Sequence, residues 1–100
     1  MNYNYNEGQL LKELEEYIIK TYGQHYASGR RQLQAFDFIM AAGHGKSFTV
    51  GNVMKYIQRY GKKGTDEDAR KDLLKVLHYT LLLLYCHDQE SNNATKSTDS

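Results

Sequence analysis

The sequence has 100 residues, of which 40% are hydrophobic and 25% are charged, and its formal net charge is +1. This length allows one domain with one hydrophobic core, and the composition is that of a globular protein. A chain with almost no net charge and few clustered cations is poorly suited to a long phosphate track, so we expect no nucleic-acid partner.

Four segments have the hydrophobic periodicity of helices, and the scarcity of Val and Ile runs argues against strands. The predicted helices run from about Glu7 to Tyr22, Arg30 to Ala42, Thr49 to Tyr60 and Asp66 to Tyr85. Gly23 is expected to end the first helix, as a C-terminal cap does. Thr65 and Asp68 form an Asp variant of the capping box and mark the start of the fourth. The sequence therefore predicts an all-α fold, a compact bundle of about four helices.

The C-terminal segment from Asp88 has no hydrophobic residue beyond one alanine. Such a segment cannot bury enough apolar surface to offset the entropy lost on ordering, so we expect it to be disordered. The predicted organisation is a single helical domain over residues 1–87 and a disordered tail over residues 88–100.

The segment from Leu81 to Leu84 is apolar on every side of its helix. A helix that is hydrophobic all round is buried, either by the other helices of the chain or by a neighbouring subunit. Because a domain of this size buries its surface inefficiently, a homo-oligomer is expected.

Cys86 is the only cysteine, which excludes an intramolecular disulfide and fits a reducing compartment. The N-terminus has no apolar signal region, and the longest apolar run, Leu81 to Cys86, is too short to span a bilayer. We expect a cytoplasmic protein with no membrane partner.

The middle of the chain is basic, since residues 38–65 contain no Asp or Glu. On the third predicted helix Asn52, Lys55, Arg59 and then Lys62 fall at i, i+3, i+7 and i+10. The opposite side of this helix is apolar and is expected to face the core; it consists of Val50, Val53, Met54 and Ile57. The polar stripe is suited to phosphate oxygens, but a solvated basic face has the same pattern. Tyr56 lies one turn from Tyr60 and could offer a ring on which a base stacks.

Two other patterns, a glycine-containing turn and the four histidines, lack the defining features of known binding sites. The Gly43–Ser47 turn lacks the first glycine and the preceding strand of a Walker loop; it predicts only a helix N-terminus that favours anions, or a plain loop. The four histidines lack the spacing of a metal site, so neither metal nor cofactor is expected. Asp72 and Lys75, at i and i+3, are expected to form an intrahelical salt bridge.

With these residues in view, the chain resembles the SaV-like family of small phage proteins over residues 25 to 85. The residues that carry the resemblance are His25-Tyr26, Phe36-Asp37-Phe38-Ile39, Phe48-Thr49-Val50-Gly51-Asn52-Val53-Met54-Lys55-Tyr56-Ile57-Gln58-Arg59, Lys63-Gly64, Asp72-Leu73, Lys75 and His78-Tyr79. The chain departs from the family pattern at His78, where a Trp is usual, and by two extra residues before Phe36.

The resemblance implies a phage protein of an infected bacterial cell, similar to a coliphage nucleoside-monophosphate kinase that lacks a Walker loop and forms a large homo-oligomer. It implies a nucleotide ligand, and it adds His25, Tyr26 and Lys63 to the candidate phosphate or nucleotide contacts. The leading hypothesis is a homo-oligomer that binds, and so sequesters, a cyclic or ADP-ribose-like defence signal without turnover.

Two alternatives stay open. One is a nucleoside-monophosphate kinase, for which Asp37, Asp68 and Asp72 are the acids close enough in sequence to hold a metal. The other is an inhibitor that binds a host protein. Whether the chain is an enzyme is left undecided, and no catalytic residue is assigned.

Overall fold

A computed structural model describes the backbone of residues 3–25, 31–62 and 64–99, and the side chains of residues 3–23, 35–62 and 64–92. It contains four helices: α1 (Glu7–His25), α2 (Arg31–Ala41), α3 (Gly45–Arg59) and α4 (Asp66–Asp99). Within the described ranges no residue belongs to a strand. The prediction of an all-α fold with about four helices is confirmed.

Three helix boundaries differ from those predicted. Helix α1 runs through Gly23 to His25, because a glycine lowers helix stability by only about 1 kcal/mol and does not by itself end a helix. Helix α3 begins at Gly45, four residues before the predicted Thr49. Gly43, with a φ of 86°, completes the turn after α2, so the backbone can return to helical geometry at once.

The start of α4 is the predicted capping box. The Thr65 hydroxyl accepts a hydrogen bond from the Asp68 backbone N–H at 3.2 Å, and the Thr65 N–H donates to Asp68 Oδ2 at 3.0 Å. The helix then continues past the predicted end near Tyr85 to Asp99. No glycine or proline follows Tyr85 to interrupt it. The described side chains from His87 to Asn92 are all exposed, as expected for a segment with nothing to bury.

The chain divides into two compact units, residues 1–35 and 36–100. In the second unit α3 and α4 form an antiparallel helical hairpin joined by a short turn. One end is fixed by Gly45, where an added Cβ would lie 2.9 Å from Cys86 Sγ and from Met40 Cγ. The other end is fixed by the ion pair of Arg59 and Asp72. The assignment of residues 1–87 to a single domain stays a prediction.

Aromatic rings fill much of the space between the helices of this second unit. The Phe48 ring lies 6.0 Å from the Phe36 ring and 6.1 Å from the Tyr79 ring, and Tyr79 stacks on Tyr56 at 5.9 Å. Such pairs stabilise by about 0.5–1.5 kcal/mol beyond their buried area. The ring series connects α2, α3 and α4 and holds Tyr56 in place.

The face that α3 turns toward α4 is not the one predicted. Thr49 is fully buried, and its hydroxyl donates to the Gly45 and Lys46 carbonyls at 2.9 and 3.0 Å. Val50, Met54 and Ile57, expected in the core, are 40%, 62% and 48% exposed. The residues of α3 that contact α4 instead include Gly45, Tyr56 and Arg59, which meet Cys86, Tyr79 and Asp72.

The segment Leu81–Leu84 is not buried all round by the described part of the chain. Leu81 and Leu84 are 45% and 55% exposed, while Leu82 and Leu83 are half-buried. Of the two alternatives for this segment, burial by the chain's own helices is not found for Leu81 and Leu84. They lie on the side of α4 that points away from α3.

Among the helices that the structure describes, none has a stretch with the length and apolar character of a membrane span.

Candidate functional site

A cleft of about 200 Å³ opens where the α3–α4 hairpin turns. Its lining combines the last residue of α3, the turn and the first three turns of α4. The lining residues are Arg59, Gly64, Asp68, Lys71, Asp72 and Lys75. Three are cations and two are carboxylates, which leaves a net charge of +1.

The floor of the cleft is an ion pair between the two helices. Arg59 Nη2 donates to Asp72 Oδ1 at 2.6 Å, and Arg59 Nε donates to Asp72 Oδ2 at 3.3 Å. The Asp72 side chain is 4% exposed and that of Arg59 is 41% exposed. The hydrogen bond from Arg59 lowers the pKa of Asp72 below its usual range, so the carboxylate is ionised at neutral pH.

This pair corrects the predicted intrahelical bridge. Asp72 is paired with Arg59 of α3 rather than with Lys75. The ammonium of Lys75 lies instead over the Tyr56 ring, 4.9 Å from its centroid. A guanidinium matches a carboxylate with two parallel hydrogen bonds, which an ammonium cannot do.

Cations from both helices gather around Tyr56. Lys55 Nζ and Arg59 Cζ lie 5.1 and 5.2 Å from its ring centroid, in addition to Lys75. Each distance is within the range of a cation–π interaction. The stacked Tyr79 ring occupies a face of Tyr56, so a base can stack on Tyr56 only on the part that Tyr79 leaves free.

The wall opposite Arg59 is formed by the capped start of α4. Gly64 has a φ of 82°, and a side chain there would collide with Asp68. Hydrogen bonds from Thr65 lower the pKa of Asp68, so this carboxylate is also ionised at neutral pH.

The predicted contact residues are only partly brought together. Arg59 lines the cleft, and Lys55 and Tyr56 lie beside it. The Asn52 amide Nδ2 donates to the Phe48 carbonyl at 2.9 Å, which leaves its Oδ1, an acceptor, for other partners. Lys62 is exposed in the turn and is not a lining residue. Tyr26, Lys63 and the side chain of His25 lie outside the described residues.

Two cations of the cleft, Lys71 and Lys75, come from α4 and were not among the predicted contacts. Their position could have been predicted from the sequence. A short turn between two helices makes a hairpin in which residues equally distant from the turn meet. Arg59 then falls opposite Asp72, and Tyr56 opposite Lys75, which is the arrangement found.

Within the described side chains no group of three or more His, Cys, Asp or Glu residues could hold a metal ion. The candidate acids of a kinase are dispersed: Asp37 is exposed on α2, Asp68 caps α4 and Asp72 pairs with Arg59. The cleft can bind an anion through hydrogen bonds and charge.

The fold and the cleft define a small helical protein with a cleft, lined by three cations and two carboxylates, at the turn of a helical hairpin. The chain belongs to the DUF3310 family, which is described as a protein of unknown function and whose model matches residues 20–80. That range includes α3, the turn and the part of α4 that lines the cleft. No curated protein and no solved structure matches the chain.

Proposed function

We propose that this protein binds a nucleotide-type small molecule through its phosphate, in the cleft formed by Arg59, Lys71 and Lys75. The observation that carries the proposal is the convergence of these cations, one from α3 and two from α4, on one cleft. Asp72 already offsets the charge of Arg59, so the two lysines supply most of the positive charge that the cleft can offer to a ligand anion.

The volume of the cleft limits which part of a ligand can bind inside it. Pockets that hold whole drug-sized ligands measure about 300–1,000 Å³, whereas this cleft measures about 200 Å³. It suits a phosphate group, with the sugar and base extending along α3 toward Lys55 and Tyr56. The resemblance to the SaV-like phage proteins supports a nucleotide as the source of that phosphate.

Binding without turnover is the activity that the cleft supports best. Phosphoryl transfer needs carboxylates free to hold a metal, and the carboxylates here are engaged: Asp72 with Arg59 and Asp68 with Thr65. The role we propose is sequestration of a nucleotide signal by a phage-encoded homo-oligomer in the cytoplasm of an infected cell.

A ligand screen tests the proposal. The purified chain is melted in the presence of mono-, di-, cyclic and ADP-ribose-type nucleotides, and every ligand that raises the melting temperature is recovered and analysed. We expect at least one nucleotide to stabilise the chain and to be recovered unchanged. Recovery of a phosphorylated product would show that the chain is a kinase and does not only sequester its ligand. If no phosphate compound at millimolar concentration raises the melting temperature, the proposal is contradicted.

A further inference from the structure

Helix α4 has a second face, distinct from the cleft, on which leucines repeat with the spacing of a coiled coil. Leu74, Leu77, Leu81 and Leu84 are separated by three, four and three residues. This is the a/d spacing of two consecutive heptads. Leu77, Leu81 and Leu84 are 49%, 45% and 55% exposed, and Leu74 is half-buried.

The contacts of α4 with α3 show that this leucine seam points the other way. Asp72, Tyr79 and Cys86 contact α3. At about 100° per residue, Leu77, Leu81 and Leu84 lie on the opposite side of the helix. A leucine seam of this exposure is stabilised when it packs against a matching seam.

We propose that the seam pairs with the same seam of a second copy of this chain, with the two α4 helices antiparallel. In an antiparallel pair each a residue meets a d residue of the partner. Leu74 then meets Leu84 and Leu77 meets Leu81, so one register pairs all four leucines. The seam is self-complementary, as a two-fold symmetric interface requires.

The charges at the ends of the seam favour this orientation over the parallel one. In the same register Asp88 falls opposite Arg70 of the partner helix, at both ends of the pair. Both residues are exposed. A parallel pair would place Asp88 against Asp88, where like charges repel. The antiparallel pair thus joins four leucine layers to two opposite-charge layers, and it does not depend on the proposed ligand.

The test measures the mass of the full chain by light scattering over a range of concentrations up to about 100 µM. The wild type is expected to form a dimer or a higher even-numbered assembly. Leu81→Lys should give a monomer with unchanged helix content by circular dichroism, because Leu81 is exposed in the single chain. Met54→Lys, at a more exposed apolar site on α3, is the matched control and should keep the wild-type mass.

The orientation is tested by a charge exchange at exposed positions. Asp88→Arg should weaken the dimer by about threefold to tenfold, and adding Arg70→Asp should restore it, because the opposite charges meet again. A parallel pair would not be restored by the exchange. A monomeric wild type, dissociation by Met54→Lys but not by Leu81→Lys, or failure of the exchange to restore the dimer would each overturn the proposal.

Discussion

Arg59 and Asp72 are joined by two hydrogen bonds, of 2.6 and 3.3 Å, although they are 13 residues apart and belong to different helices. The pair fixes the end of α3 to the second turn of α4 and forms the floor of the cleft. The Asp72 side chain is almost fully buried, whereas that of Arg59 is 41% exposed. Removing one residue of the pair therefore leaves its partner in a different environment in each case.

Loss of the arginine should therefore destabilise the fold more than loss of the carboxylate. Arg59→Ala leaves a buried carboxylate without its partner, whereas Asp72→Ala leaves a guanidinium that can turn to water. We expect Arg59→Ala to lower the melting temperature by about 5 °C or more, and Asp72→Ala to lower it less.

The control for this experiment is a second ion pair of the same hairpin. Lys46 and Glu90 are 3.0 Å apart, but their side chains are 46% and 59% exposed, and exposed pairs contribute little to stability. Glu90→Ala should leave the melting temperature nearly unchanged. An Arg59→Ala protein that melts at the wild-type temperature would show that the buried pair is not needed for the fold.

The stability of the protein should fall as the pH is lowered from 6.5. Burial lowers the pKa of His78 below its usual value of 6.5, so the folded state favours the neutral imidazole. Above pH 6.5 both states are neutral; below it the unfolded state binds more protons, and the free energy of unfolding decreases until the folded pKa is passed. Asp72 contributes in a separate window, below its usual pKa of 3.8, where protonation weakens the pair with Arg59.

Urea unfolding at pH 7.5 and at pH 5 measures the first of these effects. His78→Gln should remove most of the decrease in unfolding free energy between the two values. His44→Gln, at an exposed histidine, is the matched control and should retain it. An equal decrease in the wild type and in His78→Gln would show that His78 is not the group that titrates.

The close approach of α3 to Cys86 predicts opposite effects for two glycines of the same helix. Gly45→Ala would place a Cβ 2.9 Å from Cys86 Sγ and should destabilise by about 1–3 kcal/mol. Gly51 has nothing within 4 Å of an added Cβ, so Gly51→Ala should stabilise the helix by about 0.5–1 kcal/mol. Chemical denaturation of both variants checks the pair; an equal sign for the two changes would contradict the packing described.

The helices could be predicted from the sequence because hydrophobic periodicity and capping depend on residues close together in the chain. Thr65 and Asp68 marked the start of α4 within three residues of chain, and the capping box found there is the one predicted. Hydrophobic periodicity alone did not identify the face of α3 that packs against α4. Met54 and Ile57 were expected in the core because they are hydrophobic, but they are exposed. Thr49 is fully buried and its hydroxyl is hydrogen-bonded within its own helix, which a hydrophobic pattern does not register.

The candidate site, too, was predicted only in part from the sequence. Arg59 was singled out as a phosphate contact, but its partner Asp72 and the cations Lys71 and Lys75 depend on how two helices meet across a turn. Lys75 was assigned to Asp72 because both lie on one helix, one turn apart. A bidentate contact to a guanidinium across the hairpin competes better for that carboxylate, and only the tertiary structure brings it within reach.

The central claim, that the cleft binds phosphate, is tested most directly by removing its two lysines, which are not part of the buried Arg59–Asp72 pair. The affinity of the Lys71→Ala, Lys75→Ala double variant for the best nucleotide from the screen is measured by calorimetry, beside a Lys12→Ala, Lys20→Ala control from α1. We expect the cleft variant to bind at least about tenfold more weakly, since each lost charge-assisted contact contributes about 1.5–3 kcal/mol, while the control binds as the wild type does. Equal affinity of the two variants would contradict the assignment of the cleft as the phosphate site.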